Sequence, residues 1–350
     1  MLPATLFDII LGYGCNFRCK YCFEHGKEAS PPAGPGMSAE TAARYSEYLK
    51  YMHRHLPGQF MSLHFFGGES LLYINRVEEI MHGTLDLPAR YNLVSNGALV
   101  GRNAERLLAM QKTCRGNMGF AISYDFAFQN TTRKPGSYED IREAIRWLYK
   151  HGLLNITIAV FDLETLPYMD ETFFDFIALK KELPSLRCKF NLALPYNMER
   201  FDRAGTERAL SRVREHLKNH PELHGSFFHN TMGRNHMWRV KHCLHCNVMS
   251  CINADGDMYP EFVSLGNGPE IREMLCYGSV FDDFQELNEK QDAVIAGLDL
   301  SPMEKCRTCT ANCKLPLYTK YVPDGNRCSV PNSLSCEVRS LVTQYLGEFR

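Results

Sequence analysis

The sequence predicts an α/β fold: a partial (β/α)6 TIM-type barrel followed by a small cysteine-rich domain. Three observations predict it. From residue 7 to about 195, short β-rich runs alternate with helix-period segments across connections of a few residues, the rhythm of repeated βα units. The β-rich runs are mostly apolar, as strands buried on both faces are. Beyond Cys243 the periodicity weakens while Gly, Pro, Asn and Cys increase, the composition of a small unit whose core is supplemented by metal sites. A chain of 350 residues exceeds the usual size of one domain, and the expected division is 1–200 for the barrel, 201–242 for a bridging segment and 243–350 for the cysteine-rich unit.

The strand candidates are Phe7–Tyr13, Met61–Phe66, Tyr91–Ser95, Met118–Tyr124, Leu154–Phe161 and Cys188–Leu194. Helices are expected at Ser38–Leu56, Asn103–Lys112 and Ser137–Lys150, each opened by a capping residue, and at Asp170–Leu183. Six parallel strands with outer helices give an open, incomplete barrel. From Arg203 to Cys243 a polar helix pattern precedes an irregular stretch rich in His, Asn and Gly. It carries eight Lys or Arg against three Glu, the pattern of a solvated helix and linker or of a local anion-binding face.

Hydrophobic residues make up 45% and charged residues 23%, which suits a globular protein with a real core. The formal net charge of −1 gives no reason to expect nucleic acid as a partner. Apolar stretches such as Met118–Ile122 fall far short of the roughly 20 residues of a bilayer span, and the start lacks a basic segment followed by an apolar run. The expectation is a cytoplasmic protein without a membrane partner. Fourteen cysteines in such a chain argue for metal binding over disulfides, because a reducing cytosol keeps thiols free. Three lie within eight residues near the start and nine between Cys243 and Cys336; Cys114 and Cys188 are isolated and read as buried, unreactive thiols.

After the first strand comes Cys15-Asn-Phe-Arg-Cys19-Lys-Tyr-Cys22. A cubane iron–sulfur cluster has four irons, and thiolates are its usual protein ligands. Three cysteines therefore leave one iron open to the amino and carboxylate groups of a small molecule. The competing reading is a zinc knuckle, since cysteines two residues apart are common in zinc sites, but three thiols at three-and-two spacing fit a cluster better.

On these residues the chain resembles the radical S-adenosylmethionine superfamily, and further motifs follow in order. The resemblance implies that Cys15, Cys19 and Cys22 hold a 4Fe-4S cluster whose open iron binds S-adenosylmethionine (AdoMet). It implies that Tyr21 lies against the adenine and that Gly67-Gly68-Glu69 binds the cofactor's amine. The physics agrees, because glycines let backbone approach an ammonium and a carboxylate accepts from it. Ser95-Asn96-Gly97 and Ser123-Tyr124-Asp125, at the ends of the third and fourth strands, match positions near the ribose and methionyl carboxylate, and Arg133 matches the arginine that pairs with that carboxylate. The implied reaction is one-electron cleavage of the sulfonium to a 5′-deoxyadenosyl radical, which takes a hydrogen atom from a substrate.

The second cysteine region contains Cys243-Leu-His-Cys246, then Cys251-Ile-Asn-Ala-Asp255-Gly256-Asp-Met-Tyr259-Pro260, Cys276, Cys306-Arg-Thr-Cys309, Cys313, Cys328 and Cys336. It resembles the SPASM domain of peptide-modifying relatives, which carries auxiliary iron–sulfur clusters, and the Asp-Gly turn ahead of Tyr-Pro is its hairpin. One grouping is Cys243 or Cys246 with Cys251, Cys276 and Cys328 for one cluster, and Cys306, Cys309, Cys313 and Cys336 for the other. Structural zinc is the alternative. Where the family usually has a cysteine after Tyr-Pro this chain has Glu261, followed by Phe262. That departure argues against sulfatase maturation and makes Glu261 a candidate ligand or proton acceptor, or an ordinary hairpin carboxylate.

The function implied is modification of a peptide, such as a crosslink, thioether, epimerisation or dehydrogenation in a ribosomally made precursor, with one or two auxiliary clusters. The reducing partner expected is flavodoxin or ferredoxin. Strand one begins some six residues from Met1, so no N-terminal leader-binding domain is expected and substrate capture falls to another surface or a separate leader-binding protein. Two rivals stand beside this reading: a dehydrogenase or isomerase of a small molecule or nucleotide on the same scaffold, and a non-catalytic zinc-binding module.

Overall fold

The structure, a computed structural model, describes residues 4–22, 35–55, 58–193, 200–229, 249–260, 269–297 and 334–349. Strands and helices alternate as β1 (Ala4–Ile10), α1 (Ala39–His55), β2 (Phe60–Phe66), α2 (Ile74–Gly83), β3 (Ala89–Ser95), α3 (Ala104–Thr113), β4 (Met118–Ser123), α4 (Tyr138–Lys150), β5 (Leu154–Phe161), α5 (Met169–Glu182), β6 (Cys188–Leu192), α6 (Arg203–Asn219) and β7 (Phe227–His229). Then come β8 (Met249–Ile252), β9 (Asp257–Tyr259), α7 (Pro269–Leu275), β10 (Gly278–Ser279), α8 (Phe284–Gly297) and α9 (Leu334–Leu346). Strands β1 to β7 are neighbours in order and every pair is parallel, so the α/β fold with the parallel sheet of a partial barrel is borne out.

Alternation along the strands sorts the residues between two faces. Met61, Leu63 and Phe65 of β2 are buried in one core with Tyr45 and Leu49 of α1 and Val77 and Ile80 of α2, whereas Ser62 and His64 face the other way and are half-buried. Ser38 caps α1 as expected, its Oγ accepting from Thr41 N at 2.9 Å. Asn103 and Ser137 precede α3 and α4 without capping them: the Asn103 amide donates to Leu99 O, and the Ser137 hydroxyl donates to Lys134 O. Helix α2 lies in a stretch where no helix is expected. Its apolar residues Ile74, Val77, Ile80 and Met81 have helical spacing, but it continues from the short 3-10 turn Ser70–Tyr73 with no side-chain cap to mark its start. The first strand is Ala4–Ile10 rather than Phe7–Tyr13, because Leu11 to Gly14 turn away to meet the residues after β2: Gly68 N donates to Gly12 O and Glu69 N to Gly14 O.

The sheet does not stop at six strands. Residues expected to bridge supply α6 and β7, which pairs with β6 and extends that edge. At the other edge β8 pairs in parallel with β1, β9 returns antiparallel after a turn at Asn253–Gly256 with Gly256 at φ +100°, and β10 follows. The Asp-Gly hairpin thus belongs to the same ten-stranded sheet. Both additions cover what would otherwise be open strand edges. Arg212 pairs with Asp170 of α5 at 2.6 Å, and Arg214 with Glu348 at 2.8 Å, which ties α6 to both the barrel and the C-terminal segment. Among the described residues no helix is long and apolar enough to cross a membrane.

Candidate active site at the carboxyl rim of the barrel

The rim is assembled from the loops that follow β1, β2, β3 and β4. After β1, Cys15, Cys19 and Cys22 are not in disulfides and are of intermediate burial. The loop is closed by Cys22 N donating to Cys19 O at 3.1 Å and is pinned at Lys20 N, which donates to Thr132 O at 2.8 Å. Burial pushes the Cys19 thiol up to about 11, with the Arg133 guanidinium opposing it, and burial raises Cys15 as well. Among the described residues no three His, Cys, Asp or Glu side chains are grouped to hold a single metal ion. A cubane does not require that convergence, since each thiolate takes a different iron.

Gly67 and Gly68 bring the end of β2 against this loop. A Cβ at Gly67, whose φ is +125°, would overlap the carbonyl oxygen of Gly12, and one at Gly68 would overlap that of Gly14. Glu69 is 0% exposed, and its carboxylate is held by Leu71 N at 3.0 Å, the Ser95 hydroxyl at 2.8 Å and Asn96 N at 2.7 Å. Its expected contact with an ammonium would therefore add to three internal hydrogen bonds. Burial raises its pKa, and these donors work against that rise. Glu69→Gln is expected to cost about 1–3 kcal/mol of folding stability, because whichever way the amide turns its NH2 faces a backbone N–H, that of Leu71 or of Asn96, which can only donate; urea unfolding checks it. The Asn96 amide donates to Asn16 at 2.7 Å and lies 3.8 Å from the Cys15 sulfur, so β3 steadies the cysteine loop from its other side.

Beyond β4, Ser123 is half-buried at the strand end and Asp125 is fully buried two residues later. Asp125 accepts from the Tyr21 hydroxyl, from Thr132 Oγ1 at 2.6 Å and from Val160 N at 3.0 Å. Arg133 donates to the Tyr21 hydroxyl at 2.8 Å and stands 3.9 Å from Asp125. Burial raises the Asp125 pKa against the pull of Arg133, and it raises Tyr21 as well. Two features mark a built site. The Nε of Arg133 is buried without a hydrogen-bond partner, and Phe126, directly after Asp125, holds φ +52°, a conformation costly for a bulky side chain.

The structure thus brings Tyr21, Asp125 and Arg133 into one network and joins Gly67, Gly68, Glu69, Ser95 and Asn96 to the cysteine loop. Sequence reasoning missed Tyr73 and Thr132. The Tyr73 hydroxyl accepts from Gly14 N at 2.8 Å while its ring fills the space beside Gly12, Gly14 and Gly36. Gly12 and Gly14 flanking the cysteines were the signal that something packs there. In the hairpin region Cys251 is buried on β8, opposite Tyr259 in register, and Cys276 is half-buried beside Gly278, its thiol donating to Gly278 O at 3.5 Å. Glu261, Cys243, Cys246, Cys306, Cys309, Cys313 and Cys328 lie outside the described residues, as does the side chain of Cys336 on α9.

The donor set suits a cluster with a bound zwitterion: three thiols, a backbone cradle that a Cβ would fill, and a buried guanidinium with an unused N–H. Comparison with known proteins agrees. Residues 9–176 match the profile of the Radical SAM superfamily. No curated protein matches. Among solved structures the chain is similar to native anSMEcpe with bound AdoMet, with a TM-score of 0.68 and 16% identity over 99% of this chain and 97% of that one. It is also similar to native anSMEcpe with bound AdoMet and Cp18Cys peptide, with a TM-score of 0.67 and 16% identity over 99% of this chain and 97% of that one. At such identities the likeness is one of fold.

Proposed function

We propose that this chain cleaves AdoMet reductively and uses the resulting 5′-deoxyadenosyl radical to modify a peptide. The observation that carries the reading is the shared rim: the cysteine loop, the Gly67-Gly68 cradle and the buried Arg133 meet at one end of the sheet. Cys15, Cys19 and Cys22 would hold a 4Fe-4S cluster, which together with bound AdoMet would supply the radical. The chain's own residues orient the cofactor. The backbone at Gly67 and Gly68 admits the methionyl ammonium, Arg133 offers its free Nε–H to the carboxylate, and Asp125 fixes Tyr21 and Arg133 relative to each other. Ser95 and Asn96 hold Glu69 in place, and Ser123 stands beside Asp125 at the same rim.

The peptide substrate is supported by the likeness in fold to a protein whose structure holds AdoMet together with a peptide. We extend the proposal to one or two auxiliary iron–sulfur clusters in the 243–350 segment with Cys251 and Cys276 among their ligands, to a flavodoxin or ferredoxin donor, to a separate leader-binding protein and to a cytoplasmic setting. Glu261 stays a candidate proton acceptor there. The anaerobically purified protein is expected to be brown, to absorb at around 400 nm and to contain iron in excess of zinc. With dithionite and AdoMet it should release 5′-deoxyadenosine, measured by mass spectrometry; a colourless protein rich in zinc would sink the proposal.

A further inference from the structure

The residues that join β1 to the cysteine loop are held from two sides. On one side their backbone carries the cradle: Gly12 O accepts from Gly68 N at 2.8 Å, Gly14 O accepts from Glu69 N at 2.9 Å, and Gly14 N donates to the Tyr73 hydroxyl at 2.8 Å. On the other side Tyr13, 7% exposed, donates its hydroxyl to Asn253 Oδ1 at 2.6 Å, a contact between residues 240 apart in the chain. The bond lies past Ile9 and Ile252, the last pair in register between β1 and β8. A side chain thus continues the junction where the backbone ladder ends.

Asn253 follows β8 directly and is itself buried. Its backbone closes the hairpin turn, N donating to Asp257 O at 2.8 Å and O accepting from Gly256 N at 3.0 Å. Its Nδ2 donates to Asp255 Oδ2 at 2.9 Å. The Asp255 carboxylate only accepts, so the amide NH2 belongs on that side and Oδ1 is left facing the Tyr13 hydroxyl. The bond therefore joins a point two residues before Cys15 to a point two residues after Cys251, and burial leaves little water to replace it when it breaks.

We propose that Tyr13 is a positioning residue for AdoMet: through Asn253 the hairpin holds the neck of the cysteine loop, so that the Gly67-Gly68 cradle is in place before the cofactor arrives. The inference deepens the proposed function and takes from it only the place where AdoMet binds. A neck released from the hairpin has to be ordered at the moment of binding, and that cost is subtracted from affinity. Coupling of this kind is reciprocal, so bound AdoMet steadies the hairpin in turn.

The test compares the cluster-loaded wild type with Tyr13→Phe, which keeps the ring and loses the hydroxyl. Hydrogen exchange, read by mass spectrometry, should rise about tenfold both in the peptide spanning 66–71 and in that spanning 251–259, with 138–150 of α4 unchanged. AdoMet affinity, read from the EPR signal of the reduced cluster, should fall about tenfold, the value of one buried hydrogen bond. Adding AdoMet should slow exchange over 251–259 in the wild type and not in Tyr13→Phe. Asn253→Ala should lose as much affinity, and the double variant no more than either; if Asn253→Ala does not fold, Tyr13→Phe decides alone. Faster exchange confined to 251–259 would mean that the bond only secures the hairpin, and additive losses in the double variant would mean that the two residues act apart; either overturns the positioning role. A wild type that binds no AdoMet refutes the proposed function, whereas equal affinity in wild type and Tyr13→Phe refutes the role of Tyr13 alone.

Discussion

Cys19→Ala is expected to reduce AdoMet cleavage to the background of the protein-free reaction, whereas Cys114→Ala leaves it unchanged. Cys19 lies in the middle of the three-thiol loop, on the Arg133 side, and loss of one of three ligands leaves a cubane with two vacant irons. Cys114 ends α3 with its thiol donating to Gln111 O at 3.5 Å, 4% exposed and far in sequence from any other cysteine. Removing that sulfur leaves a small void costing about 1 kcal/mol and touches nothing at the rim. Release of 5′-deoxyadenosine and iron content, measured side by side, check the pair. Equal loss in both variants would mean that the ligand assignment is wrong.

The second large effect is expected at Gly68. An added methyl would overlap the Gly14 carbonyl and the backbone carbon of Tyr13, and neither can swing aside as a side chain would. Relief requires the residues after β2 to separate from those after β1, breaking the bonds from Gly68 N to Gly12 O at 2.8 Å and from Glu69 N to Gly14 O at 2.9 Å. The cysteine loop would shift with them, and displacement of about 1 Å at a reacting site costs on the order of 100-fold in rate. Gly68→Ala should therefore lower AdoMet cleavage by about that factor. Gly152→Ala is the control: at φ +67° it carries a backbone strain of about 1–3 kcal/mol that Gly68→Ala does not, yet open space surrounds it and it lies after α4. Comparable rates in the two variants would show that the close approach at Gly68 does not position the site.

Much of the barrel was legible because its strands are short apolar runs at regular intervals, and five of the six lie within two residues of their expected starts and ends. Helix α2 escaped because a 3-10 turn feeds it, so the capping signal that marks a helix start was missing. Strand β7 escaped for another reason. Three residues carry almost no periodic signal, and only the open edge of β6 makes a strand of them. The hairpin at Asp255-Gly256 could be read as a turn, but its attachment to β1 could not, since parallel pairing across some 240 residues leaves no local trace.

The sequence by itself determined the chemistry of the rim: thiols at three-and-two spacing, glycines where backbone must approach backbone, and an acid and an arginine at strand ends. These follow from covalent chemistry and local conformation, which spacing records directly. Only the tertiary structure decided how those groups are used. Glu69 is committed to Ser95, Asn96 and Leu71, Tyr21 is tied to Asp125 and Arg133, and Asp8 meets His64 inside the barrel. Those pairings depend on strand register, and register is set by burying the opposite face against the helices, a constraint spread over the whole core and carried by no single motif.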